Sequence, residues 1–352
     1  MEVSRVQQTG FGCFGSYDSR PSFSKDPFLS CSYEDHEMSY ECESTVHSNN
    51  DSEDVASESV PSSSSSYSDD YDEVMDMEMD DCKDVDQGDV YELAASTEML
   101  RIRFPFQSIS IRLSDFCCLQ PKDLLNDTIV DFCLNHIVEH ILPDDPSRRV
   151  TVLPSVFYHN LSLLDAASHH EDVQNLSPEK QLDARFGDVL EFVEGFDLQE
   201  VDYIVIPVNE WDHWSLAVVC HPFTANGRIV YFDSKLTEDL NNVQNISNLI
   251  NEFLKYAWLR WRGEQCQFSL SPSIPRNLAQ QENTFDCGVY LLEFARRFLL
   301  SPPQNLDSFD FAAEYQDFTI VNCREEMQRA VLALCSNRSV WEPLMTLLNR
   351  QN

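Results

Sequence analysis

The sequence predicts an α+β protein preceded by an acidic, disordered segment. Two observations predict the fold class and one the segment. Three short apolar runs rich in β-branched residues follow one another between positions 202 and 235, as a meander would. Stretches with apolar residues at helical spacing lie on both sides of them. Charge and composition also change near position 99. Residues 1–100 hold 25 Asp and Glu against 4 Lys and Arg, while the remaining 252 hold 35 against 20, within a chain of 352 residues and net charge -36. The serine and acid runs of the first part, as in "SESVPSSSSSYSDDYDEVMDMEMDDCKD", bury too little apolar surface to offset chain entropy. We therefore expect residues 1–98 to be a disordered acidic, Ser-rich region and 99–352 one large domain.

The elements follow in order. Ile109 and Ile111 alternate with serine and arginine, a short strand. Asn126-Asp127-Thr128 can cap a helix reaching about Ile141, with Ile129, Val130, Cys133, Leu134, Ile137, Val138 and Ile141 inward and Pro143 as its stop. "VTVLPSVFYHNLS" reads as extended and then helical. Residues 163–200 are polar and read as an irregular loop with one helix near Val189 to Val193. "DYIVIPVN" and "HWSLAVVCH" read as strands buried on both faces, and "RIVYFDSK" as a third strand after a turn at Asn226-Gly227. "LTEDLNNVQNISNLINEFLKYAWLRWR" is a long helix, and two further helical stretches lie near the end.

In "QQENTFDCGVY" a polar run gives way to Val289, Tyr290, Leu291, Leu292, Phe294, Ala295, Phe298 and Leu299, an apolar helical stripe. Cys287 thus falls in the first turn of a helix, where free N–H groups and the helix dipole favour a thiolate. The preceding Asp286 opposes ionisation if it points at the sulfur, and we expect it instead to cap the helix or bind nearby backbone. A thiol nucleophile needs a base held by an acceptor. His213 opens a buried strand, and Asp233 ends the next strand of the same hairpin. The bland alternative is a strand-end histidine beside a turn aspartate. Gln280 and Gln281 both stand where a side-chain amide, with the Cys287 N–H, would stabilise an oxyanion.

"DYIVIPVNEWDHWSLAVVC", "IVYFDSK" and "QQENTFDCGVY", together with "LLNDTIVDFCLNHI" and "SVFYHNL", resemble in order and spacing the signature segments of the ubiquitin-like-protein-specific cysteine proteases, also called sentrin-specific or SUMO proteases. The resemblance spans residues 100–335, and "PVNEWDHWSLAVVCHP" is most similar to the branch that edits SUMO chains. It implies a papain-like fold, a central, mostly antiparallel sheet flanked by helices. It also implies His213 as base, Asp233 as its orienter, Cys287 as nucleophile, Gln281 rather than Gln280 as oxyanion donor, and Trp214 as the cover of a Gly-Gly tail. The implied partners are SUMO or another ubiquitin-like modifier and its conjugated proteins, the implied state a monomer, and the implied compartment the nucleus. No metal or organic cofactor is implied. Leu124 stands where many members carry tryptophan.

The remaining signals set limits. Twelve scattered cysteines without a C-x-x-C pair suit a reducing, intracellular compartment. The start lacks the apolar stretch of a secretory signal, and no apolar run suits a membrane span. Strong acidity argues against direct binding of nucleic acid. "HIVEH", residues 136–140, fits the H-x-x-E-H zinc-peptidase pattern and supplies a rival reading, as does an inactive modifier-binding module. A protease for a NEDD8-like modifier is the alternative within the family. "DVYEL" and "YDEVMDMEMDD" resemble acidic-flanked modifier-interacting segments.

Overall fold

The computed structural model describes residues 96–335 apart from 146–147, 196–199 and 238–239. The expected disorder and the modifier-interacting segments fall on residues outside this set.

A hairpin of β1 (Glu98–Arg103) and β2 (Ser108–Arg112) opens the described fold. Ile109 and Ile111 face inward, as their alternation requires, while β1 is an element not foreseen. A short helix α1 (Leu113–Cys117) leads to α2 (Asp127–His136). The Asn126 side chain caps α2 by accepting from the Ile129 N–H at 3.1 Å. The helical run does reach Ile141, but its last turn, Ile137–Ile141, widens to a π-turn closed by the Leu142 N–H on the Ile137 carbonyl. Pro143 then holds Leu142 extended and stops it.

The main sheet has the order β3-β4-β5-β6-β7, with β3 Val150–Val152, β4 Tyr203–Glu210, β5 His213–Cys220, β6 Arg228–Phe232 and β7 Ser271–Ser273. The three central strands form the expected antiparallel meander, with Glu210 opposite His213 and Leu216 opposite Phe232. The two outer pairs are parallel and three residues long, so the sheet is mixed. Both faces are covered, which is why the central strands read as nearly continuous apolar runs. On one face Trp214, Leu216, Val218, Val230 and Phe232 pack with α2 and with α7 (Cys287–Leu300). On the other, Ala217, Val219, Ile229 and Tyr231 pack with α3 (Ser155–Ser168) and α6 (Asn241–Arg262).

The expected loop at 163–200 is largely helical. It holds the end of α3, a turn α4 (Glu171–Gln174), α5 (Pro178–Phe186) and a 3-10 segment Gly187–Val193. Its apolar stripe is sparse because the segment lies on the outside. Phe186, Val189 and Val193 are buried while most of α5 faces solvent, so composition outweighed periodicity in the sequence. The expected helix at Val189 to Val193 is the end of that 3-10 segment. The C-terminal helices are α8 (Phe311–Glu314) and α9 (Cys323–Leu334). Among the described residues no helix is long and apolar enough to cross a membrane.

Candidate active site

Antiparallel pairing sets the start of β5 beside the end of β6, and α7 points its N-terminus at the same place. His213 is the first residue of β5, Asp233 follows the last residue of β6, and Cys287 is the first residue of α7. The His213 Nε2–H donates to Asp233 Oδ1 at 2.7 Å. This leaves Nδ1 as the ring nitrogen for the Cys287 thiol, with which the imidazole is hydrogen-bonded. Asp233 Oδ1 also accepts the Lys235 N–H at 2.7 Å, which fixes the carboxylate.

Electrostatics follow from this line. Asp233 and Cys287, each hydrogen-bonded to the ring, raise the His213 pKa to about 9 against the opposing effect of burial. Burial pushes the Cys287 thiol up, since the residue is 2 % exposed. The hydrogen bond and charge of His213, with backbone N–H groups of Trp214 and Gly288, outweigh it and hold the thiol below the usual range. A thiolate–imidazolium pair is the form such a site favours, and it can act as nucleophile and proton donor.

The two glutamines part company. Gln280 accepts the Leu236 N–H at 2.9 Å and donates to the Asp233 carbonyl at 2.9 Å, stapling the turn after β6. Gln281 is buried; its Oε1 accepts from Ser234 Oγ at 2.6 Å and its Nε2 donates to the Asn283 carbonyl at 2.8 Å. An amide carries two protons, and Asn283 takes one of them.

Trp214 is 2 % exposed, and its Nε1–H donates to the Leu125 carbonyl at 2.8 Å. Leu125 also lies against Gly288, where an added Cβ would stand 3.0 Å from the Leu125 Cβ. A side chain at 288 would thus push Leu125 and, through it, the indole. Leu124, at the position where tryptophan was expected of many members, is 46 % exposed.

Asp286 does not cap α7, contrary to expectation. Its carboxylate takes Arg324 Nη2 at 2.8 Å and Asn283 Nδ2 at 2.8 Å instead. Sequence reasoning missed Arg324, Ser234 and Asn283. The last two lie beside named residues, but no local pattern ties a helix residue 38 positions away to Asp286. The "HIVEH" pair forms an aromatic contact: His136 stacks on Phe132 with centroids 5.6 Å apart, and His140 lies 4.9 Å from His136. Burial, with a smaller effect of His140, pushes His136 down to about 4. Among the described residues no group of three His, Cys, Asp or Glu side chains could hold a metal ion.

With this geometry in hand, similarity to known proteins is informative. Residues 123–337 match the family described as Ulp1 protease family, C-terminal catalytic domain. A relative from Caenorhabditis elegans called ubiquitin-like protease 4 is 61% identical over 255 residues, covering 72% of this chain and 67% of its own. Human sentrin-specific protease 7 is 25% identical over 289 residues, covering 64% of this chain but 27% of its own. A solved structure described as a de-sumoylating protease aligns with a TM-score of 0.49 at 22% identity, over 71% of this chain and 96% of that one. The α+β fold, the domain family and the match to a near relative agree: this chain belongs to the Ulp1 protease family and is a cysteine-type peptidase.

Proposed function

We propose that this peptidase cuts after the C-terminal Gly-Gly of a ubiquitin-like modifier, SUMO in the first place, freeing it from lysine isopeptides on targets or in chains and from precursors. The hydrogen-bonded line Asp233–His213–Cys287 carries the reading. The Cys287 thiolate attacks the terminal glycine carbonyl. The oxyanion lies against the Cys287 N–H and the second proton of the Gln281 amide. His213 gives its proton to the departing lysine amine, then takes one from the water that hydrolyses the thioester. Asp233 keeps the ring in place. Trp214, held on Leu125, closes over the two glycines, which present no side chain to it. The names of the worm and human relatives support a ubiquitin-like modifier as substrate class.

In this reading residues 99–352 form the catalytic domain, 1–98 is an appended acidic segment, and the enzyme acts as a monomer. Eight described cysteines are free, in keeping with a reducing compartment, and the family resemblance points to the nucleus. The test is a panel of SUMO, NEDD8-like and ubiquitin proteins carrying a C-terminal thiol-reactive group. We expect a SUMO adduct on Cys287 that Cys287→Ser abolishes. An adduct with the NEDD8-like protein alone would change the substrate, and no adduct with any modifier would overturn the proposal.

A further inference from the structure

Arg324 is the second residue of α9, 11 % exposed, and distant in sequence from every residue discussed for the chemistry. Its guanidinium nevertheless reaches both walls of the site. Nη1 donates to the carbonyls of Cys118 at 3.1 Å and Gln120 at 3.0 Å. Nη2 donates to the Asp123 carbonyl at 2.8 Å, to the Phe285 carbonyl at 3.2 Å and to Asp286 Oδ1 at 2.8 Å, and Nε reaches the same oxygen at 3.3 Å. One wall is the segment that runs on into Leu124, Leu125 and the Asn126 cap. The other is the loop that delivers Cys287.

We propose that Arg324 is the positioning residue of this site, clamping the nucleophile loop to the Leu124–Leu125 segment and neutralising Asp286 so that Cys287 can ionise beside a carboxylate. The inference rests on Cys287 being the nucleophile. Geometry supports the clamp. Leu125 touches the first turn of α7 at Gly288 and receives the Trp214 indole N–H, so the spacing of the two walls sets where the indole stands relative to the sulfur. Only a planar fork with five donors can satisfy carbonyls on one side and a carbonyl and carboxylate on the other; an ammonium has three protons at one point.

Charge supports the second half. A carboxylate directly before a nucleophilic cysteine opposes the thiolate, and a dry setting strengthens the opposition. Asp286 and Arg324 are 13 % and 11 % exposed, so solvent screens their mutual attraction only in part. The charged and titratable groups on the elements packed around the sulfur come from five places. His213 comes from β5 with Asp233 behind it, Glu282 and Asp286 from the loop before α7, Tyr290 and the mutually paired Glu293, Arg296 and Arg297 from α7 itself, Asp123 from the facing segment and Arg324 from α9. Of these, His213 is paired with Asp233, and Arg324 is the cation that meets Asp286.

The test reads the pH midpoint of Cys287 alkylation by a small haloacetamide on purified full-length protein. The Cys287→Ser protein supplies the background. In Arg324→Gln the midpoint should rise by about one pH unit, the size of an uncompensated charge on the adjoining residue in a partly screened setting. Adding Asp286→Asn to Arg324→Gln should return it close to the wild-type value, which a merely structural role for Arg324 would not do. Arg324→Lys should keep the midpoint near wild type yet lower turnover of a modifier substrate about tenfold or more, because the charge stays and the fork is lost. If Arg324→Gln fails to fold, Asp286→Asn alone decides: its midpoint should move down, since the guanidinium is then unopposed. A midpoint unmoved in Arg324→Gln, a double variant that stays at the single variant's value, or a midpoint unchanged or raised in Asp286→Asn would each overturn the proposal. The readout needs no modifier. A protein that ionises as described but reacts with no modifier would count against the protease reading alone.

Discussion

Replacing His213 by alanine separates what the imidazole does for the thiol from what the helix does. Two contributions hold the Cys287 thiol down: the His213 hydrogen bond with its charge, and the N–H groups of Trp214 and Gly288. Burial works against both and is the largest single influence. His213→Ala deletes the first contribution, so the thiol should move up towards the free-cysteine value near 8.5. A free thiol is only about 3 per cent ionised at pH 7, so alkylation there should slow about tenfold or more, while the two proteins converge near pH 10. Turnover has a second limb with the opposite sign. In the proposed mechanism a protonated His213 discharges the amine, and its pKa is raised to about 9, so wild-type cleavage should fall as pH rises through that value while alkylation does not. The assay is a pair of pH profiles, one with a small alkylator and one with a modifier amide. Superimposable alkylation profiles in wild type and His213→Ala would mean that the helix and backbone N–H groups alone set the ionisation, and the pairing would have to be abandoned.

Other outcomes can be checked in parallel. Trp214→Phe keeps a ring but loses the 2.8 Å bond to Leu125; it should cost about 1–2 kcal/mol in denaturant melts and slow modifier cleavage about tenfold while leaving alkylation of Cys287 within about threefold. Asp131 accepts from the Ser155 N–H and Oγ and from Gln107, yet burial raises its pKa to about 6. A raised folded-state pKa binds the proton more tightly in the fold, so wild-type stability relative to Asp131→Asn should grow by roughly 1–3 kcal/mol as pH falls from about 6 to below 4, measured by urea unfolding at each pH. Trp211 and Asp212 both have positive φ, 55° and 60°, in the two-residue turn between β4 and β5, and Trp211 is 98 % exposed. Trp211→Asn with Asp212→Gly supplies the residues this turn prefers and should raise stability by about 1–2 kcal/mol, or roughly 2–5 °C in melting temperature; a drop would show that the turn is not strained.

Much of the site was legible because local rules and hairpin geometry constrain it. A cysteine between a polar loop and an apolar stripe must sit at a helix start, and a meander must bring the head of one strand beside the tail of the next. His213 and Asp233 needed nothing more to meet. The preference for Gln281 over Gln280 came from the family resemblance, not from spacing; in the structure Gln280 binds the turn after β6 and Gln281 binds Ser234 and Asn283. What stayed hidden was non-local or weakly patterned. Arg324 reads as one more charge on an amphipathic helix, and its partners are scattered over two distant segments. β7, three residues with a central proline, carries no strand signal at all; it exists because β6 offers it a ladder. The helices within 163–200 show few apolar residues because they are packed on one side only.

The two short outer strands also bear on how this protein behaves among copies of itself. Three central strands so rich in valine, isoleucine and leucine would, with a free flank, invite the strands of neighbouring molecules to add on, which is the route to sheet-mediated aggregation. Here both flanks are closed by segments too brief to template another partner. β3 runs for three residues, Val150–Val152. β7 runs for three, Ser271–Ser273, with Pro272 withholding an N–H at its middle. The apolar central meander is thus flanked on each side by an edge strand only three residues long, and lengthening either edge into a regular apolar strand should lower solubility.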